Sequence, residues 1–585
     1  MYRLVIISLL TLCLNFDIMG QEKTIKFRVL QTSDVHGCFF PYDFIERKPE
    51  AGSLARISTY VKDLRETYGD NLILLDNGDI LQGQPTCYYC NYIKPDCKNV
   101  AASVINYMGY DAETIGNHDI ETGHSVYDKW INEVKCPMLG ANIINTATGK
   151  PYLKPYHIIN RDGVKIAILG MITPAIPNWL NEELWKGLRF DDMKNSAIYW
   201  IKYLKSHENP DIIIGLFHSG GEGGIITDKY EEDASLKIAK EIPGFDLILF
   251  GHDHKKYVET IKNSDGQNVL CMNPSSNAYF VCDAEINLTI NNDKVIQKHI
   301  SGNLKDVRNL PIDQDFMSFF KADIDSINNF VNRKIGIFKN SIYTRDSYFG
   351  SSAFCDFIQN IQLKITNADI SFNAPLSFDS SIKAGDVYVS DMFNLYKYEN
   401  QIYTVMMTGK EIKDYLEMSY GLWTNTMSDK NDHIMLLQID SINGIKKYGF
   451  KNLAFNFDSA AGIDYEVDVT KPYGNKIKIL KMSNGEPFYT DKLYKVAMNS
   501  YRGNGGGELL TKGAGIPKDS IKNRIVFESE RDQRYYLMKE IEEAKVVEPK
   551  ANNNWRFVPS QLAEPAIKRD KELLFGKRIK QSRQR

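Results

Sequence analysis

The chain lacks a dominant charge. Its 71 Lys and Arg meet 74 Asp and Glu, a formal net charge of −3 over 585 residues. That balance excludes recognition of nucleic-acid polymers through bulk electrostatics. It lacks any apolar run of transmembrane length after its N-terminus, so no membrane span is expected. Internal repeats and low-complexity blocks are also missing. Histidine is scarce in the second half: nine of the ten lie before residue 300, and only His433 follows. Metal chemistry, if present, therefore belongs to the first half. What is present is ample core material, 43% hydrophobic and 11% aromatic, in a chain long enough for more than one domain.

Residues 1–20 read as a signal peptide. Arg3 supplies the positive end, residues 4–14 a short apolar core, and cleavage falls near Gly20. This implies a periplasmic, secreted or cell-surface protein. Cys13 lacks the small preceding residue of a lipoprotein signal, and its removal leaves eight cysteines. Cys87, Cys90 and Cys97 crowd one loop. A local disulfide is the expectation there, with a structural zinc site as the sharper alternative.

Five segments share one pattern, an apolar strand-like run ending in a loop that carries Asp or His. They are 27–32 before Asp34 and His36, 72–75 before Asp76-Asn77-Gly78-Asp79, and 108–115 before Gly116-Asn117-His118-Asp119. The other two are 212–217 before His218 and 245–250 before Gly251-His252-Asp253-His254. Ligands gather beyond the carboxyl ends of strands in α/β sheets. Taken singly, a His after a strand or an Asp-Gly turn is an ordinary polar residue; five together point to a site. Helices are expected at 52–68, 99–108, 124–134, 193–206 and 233–241. A buried strand is expected at 164–171, and successive antiparallel strands at 269–272, 279–287 and 294–301. This is an α/β arrangement of a mixed sheet layered with helices.

The boundaries expected are a first domain at 24–310, a linker helix at 311–334, a second domain at 335–559 and a basic tail at 560–585. The linker is read from Phe316, Phe319, Phe320, Ile324, Ile327 and Phe330 at helical spacing; a helix wholly within one core fits equally well. In the second domain 352–365 and 409–420 read as helices, and 402–407, 463–469, 476–482 and 493–499 as strands. From Lys568 to Arg585 there are eight Lys or Arg and two acids, read as a solvated, frayed tail.

Asp34, His36, Asp79, Asn117, His218, His252 and His254 form a mixed oxygen and nitrogen donor set. It is too large for one tetrahedral ion and suits two neighbouring divalent ions, Mn, Zn, Co or Mg. Such a pair holds the attacking and leaving oxygens of a phosphoryl displacement. Asp79, at a strand end behind a glycine, is the natural bridge.

These blocks resemble the calcineurin-like metallophosphoesterases. The resemblance implies Asp34, His36, Asp79 and His254 around one ion, and Asp79, Asn117, His218 and His252 around the other. His118 is then the catalytic histidine, with Glu121 where the family usually has Asp or Asn. Residues 75–83, 496–502 and 552–556 are similar to the bacterial periplasmic 2′,3′-cyclic-nucleotide 2′-phosphodiesterase/3′-nucleotidases, within the 5′-nucleotidase family. The similarity runs from about Lys26 to Pro559. It implies a four-layer αββα N-terminal sandwich, a linker helix and a C-terminal α/β 5′-nucleotidase-type domain that sandwiches the base between aromatics. Phe457 or Phe455, and Tyr501, are the clamp residues expected, with core packing the equal alternative for the phenylalanines. Asn504 stands where relatives carry an aromatic.

The implied activity is hydrolysis of 2′,3′-cyclic nucleotides and 3′-nucleotides to nucleoside and phosphate, with nucleotides as the partners. Alternatives are a 5′-nucleotidase or UDP-sugar hydrolase, a metal-dependent sulfur-compound hydrolase, and a non-catalytic surface nucleotide-binding protein. Residues 371–376 lack the glycine run and arginine that resembling 5′-nucleotidases carry, which favours the 2′/3′ edge of the ribose over a 5′-phosphate.

Overall fold

The structure is a computed structural model that describes residues 22–442 and 445–576. The expected signal peptide at 1–20 lies outside the described residues. The first half contains twelve strands that form two six-stranded sheets. In chain order they are β1 (Lys23–Thr32), β2 (Leu72–Asp76), β3 (Ala112–Thr114), β4 (Met138–Leu139), β5 (Tyr156–Arg161) and β6 (Val164–Ile172). Then come β7 (Ile212–His218), β8 (Leu247–Phe250), β9 (Lys256–Lys262), β10 (Asn268–Pro274), β11 (Phe280–Asn291) and β12 (Lys294–Asp306). One sheet runs β12-β11-β1-β2-β3-β4 and the other β9-β10-β8-β7-β6-β5.

The two sheets face each other across an apolar layer. Phe27, Val29, Ile73 and Leu75 come from one side, Ile166, Ile168, Ile214 and Leu247 from the other. Strands buried on both faces need near-continuous apolar runs, and residues 72–75 and 212–217 are such runs. Helices cover the outer faces. Leu54–Tyr68, capped by Ser53, and Val100–Met108, capped by Asn99 and ended by left-handed Gly109, cover one sheet. Met193–Tyr203 and Ser235–Glu241 cover the other. These are the four layers.

The stretches 269–272 and 279–287 are not successive partners in one sheet, contrary to expectation. Strand β10 lies in the second sheet and β11 in the first, and the chain crosses between them through Ser275, Asn277 and Ala278, all at positive φ. Periodicity identifies a strand but not its sheet.

The apolar stripe predicted as one linker helix is two, Gln314–Phe319 and Lys321–Val331, meeting at Phe320. Phe316, Phe320, Ile327 and Phe330 belong to a core cluster that continues into second-half residues such as Phe357, Phe393 and Leu537. The second half is built on a five-stranded sheet. Its strands are β13 (Ile370–Asn373), β14 (Gln401–Thr408), β15 (Ser459–Ala461), β16 (Leu493–Asn499) and β17 (Ile525–Asp532), in the order β15-β13-β16-β14-β17.

The basic tail expected at 560–585 is corrected over 560–576; its residues 577–585 lie outside the described residues. Ser560–Phe575 is a helix whose Ala563 and Ala566 enter the second core, and Phe575 stacks on Tyr348 at 6.0 Å. Buried Asp570 accepts from the backbone N–H groups of Ile434 and Met435 at 2.8 and 3.0 Å. The local disulfide is also not found: Cys87, Cys90 and Cys97 are free, as are the other five cysteines among the described residues.

Candidate active site

Strands β1, β2 and β3 run parallel with Thr32 beside Asp76 and Asp76 beside Glu113; β7 and β8 run parallel with Phe217 beside Phe250. Their carboxyl ends therefore open on one edge of the sandwich, and the five predicted loops meet there. Backbone bonds lock them together. Asp34 N–H donates to Gly78 O at 3.0 Å and His36 N–H to Asp79 O at 2.9 Å. Asn77 Nδ2 donates to Phe217 O at 2.9 Å, tying one sheet to the other.

Asp34, His36, Asp79, His252 and His254 all have φ between 49° and 76°. Non-glycine residues avoid this region, and it is tolerated where surrounding structure over-determines the backbone at a functional site. Gly116 allows the closest approach. A Cβ there would overlap Asp79 Oδ1 and lie 2.7 Å from His218 Cε1.

All seven predicted donors converge. His36 Nε2 and His254 Nε2 are 3.1 Å apart, and His254 Nε2 is 3.3 Å from Asp34 Oδ1. One ligand atom from each of Asp34, His36, Asp79 and His254 lies within 4.8 Å of the others. Beside this group, Asn117 Oδ1 stands 3.1 Å from His218 Nε2 and 2.8 Å from His252 Nδ1, and His218 Nε2 stands 3.3 Å from Asp79 Oδ2. Asp79 thus faces both groups.

His36 Nδ1 donates to Gln82 O at 3.2 Å and His218 Nδ1 to Asn77 O at 2.6 Å, so both present Nε2 to the cluster. Asp79 Oδ2 is buried without a hydrogen-bond donor. Burial pushes Asp34 and Asp79 up, and the histidines more than offset it, so both fall below the usual carboxylate range. Burial drives His36 down to about 4. Burial also opposes charge on His218, yet Asp79 outweighs it and raises the group to about 10. The cluster draws positive charge to itself. A divalent cation would supply that charge in place of a proton, so the donors fit the metals that the fold implies.

His118 lies at the rim, its backbone N–H donating to Asp79 Oδ1 at 2.8 Å. The predicted partner Glu121 is in place, with Oε2 2.6 Å from His118 Nδ1. Burial opposes charge on His118, while Asp79 and Glu121 raise it to about 9.

The residues proposed for the base divide. Phe457 is fully buried among Trp423, Phe450 and Tyr348, with ring centroids 5.2, 5.3 and 6.3 Å away. It is a core residue, which corrects its reading as a clamp. Phe455 and Tyr501 are half-buried neighbours, 6.4 Å apart and edge-to-face at 88°. Buried Arg502 joins their two loops. Its Nε donates to Asp458 Oδ2 at 2.9 Å, and its Nη1 to Asn456 Oδ1 at 3.0 Å and Gly506 O at 2.9 Å. Asn504 is half-buried in the same glycine-rich turn, its N–H bonded to Ser500 O at 2.9 Å.

Two contributors escaped sequence reasoning. Buried Asp119 accepts from the N–H groups of Asp79, Ile80, Leu81 and Gly116 at 2.8–2.9 Å, holding two ligand loops in register. Its place inside the Gly116–Asp119 motif was the available signal. Glu232 approaches His252 from a hairpin for which the sequence offered no sign.

Comparison with known proteins agrees with this geometry. Residues 27–256 match the family described as calcineurin-like phosphoesterase, and residues 333–512 match the 5′-nucleotidase C-terminal domain. The chain carries a calcineurin-like phosphoesterase domain joined to a 5′-nucleotidase C-terminal domain. This phosphoesterase is similar to a trifunctional nucleotide phosphoesterase of Bacillus subtilis, 28% identical over 92% of this chain, and spans 39% of that relative's length. It is similar to a 2′,3′-cyclic-nucleotide 2′-phosphodiesterase/3′-nucleotidase of Yersinia enterocolitica, 25% identical over 93% of this chain and 90% of the relative. A Staphylococcus aureus protein solved with alpha-ketoglutarate shares its fold at TM-score 0.74 and 19% identity, over 91% of this chain and 100% of that one. The phosphoesterase is a metal-dependent phosphoester hydrolase. Among the described residues no helix is long and apolar enough to cross a membrane.

Proposed function

We propose that this phosphoesterase hydrolyses 2′,3′-cyclic nucleotides to 3′-nucleotides and then releases phosphate to give nucleosides, using two divalent ions. The observation that carries the reading is the convergence of six other donors on Asp79, with the His118–Glu121 pair at their rim. The named Yersinia enterocolitica relative, matched over most of both chains, supports the substrate class.

Asp34, His36, Asp79 and His254 would hold one ion, and Asp79, Asn117, His218 and His252 the other. When bound, the ions neutralise the phosphate and lower the pKa of a water near it. His118 contributes what the ions do not. Glu121 accepts from Nδ1, and because the ring is raised to about 9 its Nε2 also carries a proton near neutral pH, which it would give to the departing ribose oxygen. Phe455 and Tyr501 hold the base, positioned by Arg502 between their loops. The N-terminal segment at 1–20 supports export from the cytoplasm.

The test is a comparison of kcat/KM on 2′,3′-cyclic AMP, 3′-AMP and 5′-AMP with added Mn²⁺, Co²⁺, Zn²⁺ or Mg²⁺. The first two substrates are expected to lead. Preference for 5′-AMP at saturating metal overturns this specificity and leaves a 5′-nucleotidase.

A further inference from the structure

His252 divides its two ring nitrogens. Nδ1 lies 2.8 Å from Asn117 Oδ1, inside the donor cluster. Nε2 points away from it, 3.1 Å from Glu232 Oε1. Glu232 sits on a hairpin formed by Gly223–Ile226 and Glu231–Asp233, just after the loop that begins at His218.

We propose that Glu232 is a positioning residue that fixes the tautomer of His252 and thereby sets the ion affinity of the Asn117–His218–His252 group. The inference rests on reading His252 as an ion ligand. An ionised carboxylate only accepts hydrogen bonds, so Nε2 must carry the ring proton. Nδ1 then offers its lone pair to the cluster. His36 and His218 fix their tautomers by donating to backbone carbonyls; His252 uses a carboxylate for the same purpose.

Glu232 is itself held. Its Oε2 accepts from Ile225 N–H at 2.7 Å, and its backbone carbonyl accepts from Ser219 Oγ at 2.8 Å. The neighbouring Asp233 Oδ1 is 3.9 Å from His252 Nε2 and accepts from Gly220 N–H at 2.8 Å. Ligand atoms of Glu232, Asp233 and His252 fall within 4.8 Å of one another. Both acids are engaged by backbone donors, and the imidazole proton lies between them. This is the geometry of an anchored acceptor, not of a third ion site.

The experiment titrates Mn²⁺ into full-length wild type, E232A and E232Q in chelator-buffered solution, with bound metal counted by elemental analysis. Imidazole ¹⁵N spectra of the metal-free proteins report the tautomer. In E232A one of two sites is expected to weaken by about 10- to 100-fold, with the other unchanged. Its His252 signal should lose the Nε2–H tautomer, while the thermal midpoint of the metal-free chain stays the same. E232Q keeps an acceptor and should recover most of the affinity. Unchanged affinity and tautomer in E232A overturn the inference alone, as does equal weakening of both sites with a lowered midpoint. A wild type that binds no Mn²⁺ overturns the metal-centre reading and this inference together.

Discussion

Replacing Phe457 with alanine separates a core residue from a substrate clamp. The ring has no exposed surface and meets Trp423 and Phe450 edge-on at 5.2 and 5.3 Å. Truncating a buried phenylalanine costs about 3–5 kcal/mol, the sum of lost transfer energy and the cavity left behind. Edge-to-face pairs account for about 0.5–1.5 kcal/mol of such contacts beyond area. The nearby loop is anchored independently by Arg502 and Asp458, so the site has little means to collapse into the space. With a urea slope of about 2 kcal/mol per M for the C-terminal unit, the midpoint should fall by roughly 2 M. Near-UV circular dichroism across a urea series reads this transition through Trp423 and its neighbours. KM for 3′-AMP, measured well below the transition, should stay within about twofold, because the ring does not line the cleft. An unmoved midpoint with a raised KM would refute the reasoning and return Phe457 to the clamp.

Other substitutions address the cleft. Phe455→Ala and Tyr501→Ala should each remove about 1–3 kcal/mol of base stacking, raising KM for 2′,3′-cyclic AMP roughly 5- to 150-fold. Hydrolysis of p-nitrophenyl phosphate should barely change, and a parallel loss on both substrates would point to disruption of the whole cleft. His118→Asn should lower kcat by about 10²- to 10⁴-fold with bound metal retained, because proton transfer is what the ring supplies. A change in KM alone would remove His118 from that role. Glu121→Gln should give a smaller kcat loss in the same direction; a wild-type kcat would show that the 2.6 Å contact does not orient the ring.

The clustered Asp, Asn and His side chains were legible because each is written next to its strand. A buried apolar run followed by Asp or His needs only local reading, and parallel strands bring the five ends together. Contacts without a local pattern were not legible. Glu232 and His252 are 20 residues apart, with the helix Ser235–Glu241 and strand β8 between them. Phe455 and Phe457 sit two apart around a single 3₁₀ turn at Ala454–Asn456, too short for a period to tell the cleft side from the core side. The same limit hid the crossing between sheets at 275–278. In the C-terminal helix, basic residues masked Ala563, Ala566 and Phe575, the side chains that dock it.

Asp79 faces both donor groups. The decisive measurement is bound metal per chain in wild type and Asp79→Asn after dialysis against Mn²⁺, with hydrolysis of 2′,3′-cyclic AMP followed on the same samples. Two ions per wild-type chain are expected, with both the metal and nearly all turnover lost in Asp79→Asn while circular dichroism stays unchanged. A folded Asp79→Asn variant that keeps two ions and the wild-type rate would contradict the account.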